Sequence, residues 1–139
     1  MRRPTVTPRA GACHWSRTTR VDEPAATGDT ALMQTPTVVL ASGQMVPALG
    51  FGTFQLRDEA CRTAVAAAIE IGYRHIDTAV AYKNHAEVGA GIRDSGIGRN
   101  DLWVTTKIPK DSQAPEEIIK TAERSLSELG LESVDLMLS

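Results

Sequence analysis

The sequence feature that most constrains the fold is a repeat of short apolar runs, with an amphipathic helical stretch in each gap. The runs begin 26, 28 and 31 residues apart, at Leu49, His75, Trp103 and Val134. This spacing is typical of successive βαβ units, whose strands are parallel. Two architectures share the pattern: a doubly wound sheet and a (β/α)8 barrel, which needs about 250 residues. Spacing alone leaves both open, and a chain of 139 residues favours the doubly wound sheet.

The elements can be predicted from apolar periodicity and from turn residues. A β-hairpin is predicted over 37–40 and 45–46, around the turn signal Ser42-Gly43. Further strands are predicted over 49–52, 75–77, 102–106 and 134–138, and helices over 58–71, from Asn84 to Gly96, and from Pro115 to Leu129. The folded region therefore alternates strand and helix after an initial hairpin.

Two of these helices carry specific expectations. Asn84 followed by Glu87 resembles a capping box, so we expect the Asn84 side chain to cap the second helix. Pro115 at a first helical position begins the third helix. Its buried face is predicted from helical spacing to consist of Ile119, Ala122, Leu126 and Leu129.

Residues 1–33 differ in composition from the rest of the chain. They contain five arginines against three acidic residues, no Ile, Phe or Tyr, and one leucine. Such a segment buries too little apolar surface to offset the entropy of ordering. We therefore expect a disordered N-terminal extension over 1–33 and a folded domain over 34–139. A transit peptide is the weaker alternative, because the segment lacks an amphipathic apolar face.

Composition also excludes several classes of function. The net charge is −2, which gives no general attraction for nucleic acid or for an anionic membrane. No apolar run reaches the length of about 18 residues that a membrane span needs. The two cysteines, Cys13 and Cys61, are far apart and have no histidine at metal-ligand spacing. We therefore expect no nucleic-acid, membrane or metal partner, and a reducing, cytoplasmic location.

Three titratable side chains stand at predicted strand ends, where parallel α/β folds place their chemistry. Asp77 closes the second strand, Tyr82 lies in the loop after it, and Lys107 follows the third. A neighbouring ammonium favours the phenolate of a tyrosine, so Tyr82 can act as a general acid while Asp77 orients Lys107. A capping aspartate, a half-buried tyrosine and a solvated lysine would give the same pattern, so spacing leaves both interpretations open.

Two other sequence patterns carry less chemistry. The run Gly50-Phe51-Gly52 begins like a dinucleotide-binding fingerprint, but Gln55 occupies the position of the required third glycine. A Rossmann-type cofactor site is therefore not predicted. His75 lies inside a strand, and we expect it to be a hydrogen-bonded core residue rather than a metal ligand.

At these same positions the sequence resembles the aldo-keto reductase family. The resemblance is carried by the runs 45–54, 72–79, 102–107 and 134–138, together with Tyr82, Asn84, Glu87, Val88 and Gly89. It covers about residues 36–139, and the prokaryotic branch that includes 2,5-diketogluconate reductases is the most similar. One departure is His85, which stands where an acidic residue is common, and we expect it to matter little for the chemistry.

The resemblance implies the N-terminal half of a (β/α)8 TIM barrel: the hairpin, about three βα units and the fourth strand. The region 34–139 is then a partial aldo-keto reductase domain. The implied reaction is NADPH-dependent reduction of an aldehyde or ketone, a small-molecule carbonyl substrate, to an alcohol. The implied proton donor is Tyr82, supported by Asp77 and Lys107. The resemblance implies cofactor contacts from Gly52, Thr53, Phe54 and Asp77.

The chain ends inside the predicted fourth strand, where the family's catalytic histidine would follow. We therefore expect a truncated, inactive fragment of an NADP-dependent oxidoreductase; the alternative is a non-enzymatic half-barrel that serves as a binding module. In such a half-barrel we expect inward-facing apolar side chains to be partly uncovered, namely Phe51, Ile76, Val104 and Leu136.

Overall fold

A computed structural model describes residues 35–110 and 114–139, so the expected N-terminal extension lies outside the described residues. The chain begins with the strands β1 (Thr37–Val39) and β2 (Met45–Pro47). It continues through β3 (Phe51–Gly52), α1 (Asp58–Glu70), β4 (His75–Asp77), α2 (His85–Asp94), β5 (Trp103–Lys107), α3 (Pro115–Leu129) and β6 (Leu136–Leu138). Short 3-10 turns at Val80–Tyr82 and Arg99–Asp101 precede α2 and β5.

The order of the strands distinguishes the two architectures that the spacing left open. The main sheet runs β3-β4-β5-β6, and each strand is parallel to the next. A doubly wound sheet reverses its order at a switch point, whereas barrel strands follow one another in sequence. The helices form a matching series, since α1 packs on α2 and α2 packs on α3. The structure is therefore a partial (β/α)8 barrel, as predicted.

The predicted hairpin is confirmed as a separate two-stranded antiparallel sheet in which Val38 pairs with Val46. Its turn closes by hydrogen bonds from Gly43 N–H to the Leu40 carbonyl and from Leu40 N–H to the Gln44 carbonyl. Gly43 adopts a φ of 83°, a conformation that glycine adopts at little cost. We expected Leu40 to end the first strand, but in the structure it belongs to the turn.

Two strands are shorter than their apolar runs. The first barrel strand begins at Phe51 rather than Leu49, and Leu49 lies in a bend with 48% of its surface exposed. The fourth begins at Leu136 rather than Val134. Just before it, the Asp135 carboxylate accepts hydrogen bonds from the Arg99 guanidinium at 2.6 Å and from the backbone N–H of Val104 at 2.8 Å.

The hydrophobic core lies between the sheet and the helices. Ile76 and Val104 are 0% exposed and belong to one cluster with residues of all three helices, including Val65, Val88 and Leu129. The expectation that Ile76 and Val104 point into a half-open barrel is therefore wrong. Side chains alternate along a strand, and in this register the odd-numbered positions 75, 77, 105 and 107 share the opposite face.

The buried face of α3 also differs from the expected one. Leu129 is buried as predicted, but Ile119 is 57% exposed, and the other buried positions are Thr121 and Ser125. The Ser125 hydroxyl donates to the Thr121 carbonyl at 2.8 Å, which satisfies its hydrogen-bonding group inside the helix. Small polar residues thus occupy part of the face that helical spacing assigned to apolar ones.

Within the two described segments, no helix combines the length and the apolar character needed to cross a membrane.

The helices α2 and α3 approach each other closely at Gly89. A Cβ atom at this position would lie 1.9 Å from the Leu129 carbonyl oxygen. Alanine normally stabilises a helix interior by about 1 kcal/mol relative to glycine. Here the overlap is with backbone, which cannot rotate away, so only the absence of a side chain permits the packing.

We therefore expect Gly89→Ala to lower the free energy of unfolding by about 2 kcal/mol, despite its higher helix propensity. Urea denaturation measures this change. The control is Ala86→Gly at an exposed position in the first turn of the same helix, which should cost no more than about 1 kcal/mol from propensity alone. A stabilised Gly89→Ala variant would contradict the close packing of the two helices.

His85 begins α2 and is only 2% exposed. Its Nε2 lies 3.0 Å from the Thr106 hydroxyl oxygen of β5, and its Nδ1 lies 3.2 Å from the Glu128 carboxylate of α3. Burial lowers the pKa of His85, and this effect outweighs the opposing influence of Glu128; Arg124 lowers it further. The imidazole therefore favours its neutral form in the folded protein.

This shift predicts loss of stability in acid. Histidine in an unfolded chain has a pKa of about 6.5, so below that pH the unfolded state binds more protons than the folded state. The contribution of His85 is complete above about pH 6.5 and decreases as the pH falls towards the lower folded value. Its slope cannot exceed about 1.4 kcal/mol per pH unit, the limit for one proton.

The measurement is the free energy of unfolding of the wild type and of His85→Gln across this pH range. The difference between them should shrink as the pH falls, since glutamine retains polar groups but does not titrate. A difference that is constant with pH would show that His85 does not titrate in this way.

Candidate active site

The three titratable residues predicted from the strand ends lie at one edge of the sheet. Asp77 is the last residue of β4, Lys107 is the last residue of β5, and Tyr82 ends the 3-10 turn that follows β4. Asp77 pairs with Thr105, and Lys107 follows two positions later, so both side chains are on the same face. The parallel register thus brings a carboxylate and an ammonium together across 30 residues of sequence.

Lys107 is held by two contacts. Its Nζ forms an ion pair with Asp77 Oδ1 and donates a hydrogen bond to the Thr78 carbonyl at 3.0 Å. About a third of each charged side chain is exposed, so the pair is accessible from the open side of the sheet. This arrangement keeps the ammonium fixed in position near Tyr82.

The Tyr82 ring is close to both Lys107 and Phe54. Lys107 Nζ is 5.3 Å from the centre of the Tyr82 ring, within the range of a cation–π interaction. The Phe54 ring is 5.1 Å away, centre to centre, and tilted by 59°. Backbone contacts shape the turn, because Tyr82 N–H donates to the Ala79 carbonyl and Lys83 adopts a left-handed φ of 54°. We also expect the Lys107 amine to lie near the Tyr82 hydroxyl, and this stays a prediction.

The residues expected to contact a cofactor lie beside this group. Gly52 ends β3 and pairs with Asp77, and a Cβ atom built on Gly52 would meet nothing within 4 Å. Thr53 is fully buried, and both its N–H and its hydroxyl donate to the Asp77 carbonyl, at 3.0 and 3.3 Å. Phe54 is 63% exposed. Open space above Gly52, next to an exposed aromatic ring, fits the flat ring of a nicotinamide.

Asn84 does not behave as the sequence predicts. It precedes α2, but its side chain makes no capping hydrogen bond to that helix. The amide nitrogen instead donates to the carbonyls of Thr53 and Leu56, at 2.9 and 3.1 Å, and the amide oxygen accepts from the Thr78 hydroxyl at 3.2 Å. The capping-box expectation is wrong because these long-range partners outcompete the helix end.

His75 lies beneath the site on the same face of the sheet. Its Nε2 is 2.9 Å from the Thr105 hydroxyl oxygen and its Nδ1 is 3.3 Å from the Pro47 carbonyl oxygen. Both ring nitrogens thus have partners, as expected of a core histidine. In the described part of the chain, no cluster of three or more His, Cys, Asp or Glu residues could hold a metal ion.

Two named proteins are similar in sequence to most of this chain. Morphine 6-dehydrogenase of Pseudomonas putida is 44% identical over 105 residues, which are 76% of this chain and 36% of that protein. Methylglyoxal reductase of Salmonella typhi is 43% identical over 93 residues, which are 67% of this chain and 35% of that protein. The chain therefore spans little more than a third of the length of these relatives.

Solved structures agree with the sequence relatives. An aldo/keto reductase from Brucella melitensis matches with a TM-score of 0.72 and 46% identity, covering 76% of this chain and 40% of that one. A Bombyx mori aldo-keto reductase, solved in complex with NADP, matches with a TM-score of 0.71 and 36% identity, covering 75% of this chain and 37% of that one.

These chains share the order of parallel strands described above, and residues 48–139 match the sequence pattern of the aldo/keto reductase family. That matched region contains Asp77, Tyr82 and Lys107, and it covers well over half of the chain. The chain therefore belongs to the aldo/keto reductase family.

Proposed function

We propose that the full-length protein containing these residues reduces aldehydes or ketones to alcohols with NADPH, and that Tyr82 donates the proton. The observation that carries this proposal is the ion pair of Asp77 with Lys107, which holds an ammonium over the Tyr82 ring at the carboxyl edge of the sheet. A structural role would not require a partly exposed ion pair beside a tyrosine and the exposed Phe54 ring.

Each residue has a separate part in the proposed reaction. NADPH, when bound, would supply the hydride that the carbonyl carbon accepts. As negative charge develops on the carbonyl oxygen, the Tyr82 hydroxyl gives its proton to that oxygen, and an alcohol and a phenolate result. The ammonium of Lys107 stabilises the phenolate electrostatically, and Asp77 keeps that ammonium oriented. A proton from solvent then restores the phenol.

The cofactor surface is proposed to consist of Gly52, Thr53, Phe54 and Asp77. Gly52 leaves room for close approach of a planar ring, and Phe54 gives an apolar wall beside Tyr82. Thr53 fixes the backbone between Gly52 and Phe54 through its two hydrogen bonds to the Asp77 carbonyl. The Bombyx mori relative binds NADP, which supports a nicotinamide cofactor for this protein too.

Small carbonyl compounds are the proposed substrate class. The names of two relatives refer to methylglyoxal and to morphine, compounds that differ widely in size. A protein of this family is therefore best tested with a panel of aldehydes and ketones. A cytoplasmic location belongs to the same proposal, since Cys61 is a buried free thiol and fits a reducing compartment.

The proton-donor role predicts the behaviour of Tyr82→Phe in the full-length protein. We expect kcat to fall by about 100-fold or more, because general acid catalysis typically contributes that much. NADPH should bind with unchanged affinity, since the hydroxyl is not needed to hold the cofactor. The measurements are NADPH consumption with the carbonyl panel and fluorescence titration of NADPH binding.

The matched control is Tyr73→Phe, at the other tyrosine of the chain. Tyr73 packs edge-on against Phe51, with ring centres 5.7 Å apart, and lies at the amino end of β4. This variant should retain nearly full activity. Wild-type turnover that persists in Tyr82→Phe would contradict the proton-donor role. A wild-type protein that consumes no NADPH with any carbonyl would contradict the proposed reaction and favour a binding module.

Lys107→Met gives a second test of the same arrangement. Loss of the ammonium removes the charge that stabilises the phenolate, so we expect kcat to fall by about 100-fold. Lys120→Met, on the exposed side of α3, is the control and should leave kcat unchanged. Steady-state kinetics of both variants measure the effect, and equal kcat values in the two would contradict the role of Lys107.

A further inference from the structure

Asn84 is almost completely buried, at 1% exposure, and uses both ends of its side-chain amide. The carbonyls of Thr53 and Leu56 can only accept hydrogen bonds, so the amide nitrogen must face them. The amide oxygen then faces the Thr78 hydroxyl. These partners fix the orientation of the amide without ambiguity.

The three partners of Asn84 belong to the segments that carry the proposed active site. Thr53 and Leu56 lie before and after Phe54 in the loop that follows β3, and Thr78 directly follows Asp77. Asn84 itself stands two residues after Tyr82. One buried amide therefore joins the loop that carries Phe54, the end of β4 and the turn that carries Tyr82.

The loop that Asn84 holds contains a strained residue. Gln55, directly after Phe54, has a φ of 66°, in the left-handed region that non-glycine residues adopt at a cost. Within the loop, Leu56 N–H donates to the Thr53 carbonyl at 3.2 Å. Asn84 adds a hydrogen bond to the carbonyl at each end of this short turn. Strained conformations of this kind persist when surrounding contacts over-determine them.

We propose that Asn84 is a positioning residue, which sets the separation of the Phe54 and Tyr82 rings by holding residues 53–56 against the turn Val80–Tyr82. The inference rests on the proposed function and extends it, since Asn84 acts through Phe54 and contacts neither substrate nor cofactor. Loss of its two hydrogen bonds to the loop displaces the Phe54 ring, whereas its bond to Thr78 keeps the end of β4, and with it Tyr82, Lys107 and Asp77, in place. The effect therefore falls on KM more than on kcat.

The test variant is Asn84→Asp in the full-length protein. Aspartate has the same shape and still accepts from Thr78. Its carboxylate would donate to neither carbonyl, and its protonated carboxyl would donate to only one of the two. We expect KM for carbonyl substrates to rise about 10-fold or more, because small displacements at a site cost factors of this size or greater. The fall in kcat should be much smaller than in Tyr82→Phe. Asn100→Asp, at an exposed position, is the control and should match the wild type.

Hydrogen exchange gives a readout that does not depend on activity. Asn84→Asp should speed exchange of the amides in residues 53–58 and leave α2 and the remainder of α1 protected as in the wild type. Unchanged exchange in 53–58, or an unchanged KM, would overturn the inference. Faster exchange throughout α1 and α2 would also overturn it, because Asn84 would then be a general stabilising residue. Absence of turnover in the wild type would instead contradict the proposed function.

Discussion

The register between β4 and β5 is the constraint on which both the core and the site depend. Ile76 pairs with Val104, and the alternation of side chains sends both beneath the helices. The same alternation places Asp77 and Lys107 on the other face, where they form an ion pair. A slip of one residue would bury a carboxylate in the helix layer and expose Ile76, which is costly on both counts. The burial of the core therefore determines where the charged groups meet.

Most of the architecture was predictable because it follows from local patterns. Apolar periodicity located the strands and helices to within a few residues, and strand ends selected Asp77, Tyr82 and Lys107. The side-chain role of Asn84 was not predictable, since its partners lie 6 to 31 residues away and a local capping rule offered another explanation. The exposed Ile119 was missed for a related reason. Helical spacing defines stripes on a helix, but tertiary packing decides which stripe is buried.

A chain of hydrogen bonds beneath the site ties the hairpin to the barrel sheet. The indole of Trp103 can only donate, so the Thr105 hydroxyl accepts from it at 3.2 Å, and the same hydroxyl oxygen lies 2.9 Å from His75 Nε2. The Pro47 carbonyl can only accept, so His75 Nδ1 donates to it at 3.3 Å. Gly50 makes room for the imidazole, because a Cβ there would lie 2.9 Å from Nδ1. Polar residues thus fill this layer with their hydrogen bonds satisfied.

The start of α2 connects the elements of the site in two directions. Asn84 reaches the loop that carries Phe54, and the next residue, His85, reaches Thr106, the residue before Lys107. The Glu128 carboxylate can only accept, so His85 Nδ1 donates to it and the neutral Nε2 accepts from the Thr106 hydroxyl. Protonation would turn Nε2 into a donor and force that hydroxyl to reorient. The lowered pKa of His85, caused by its burial, keeps the neutral arrangement and holds the end of β5 in one hydrogen-bonding state.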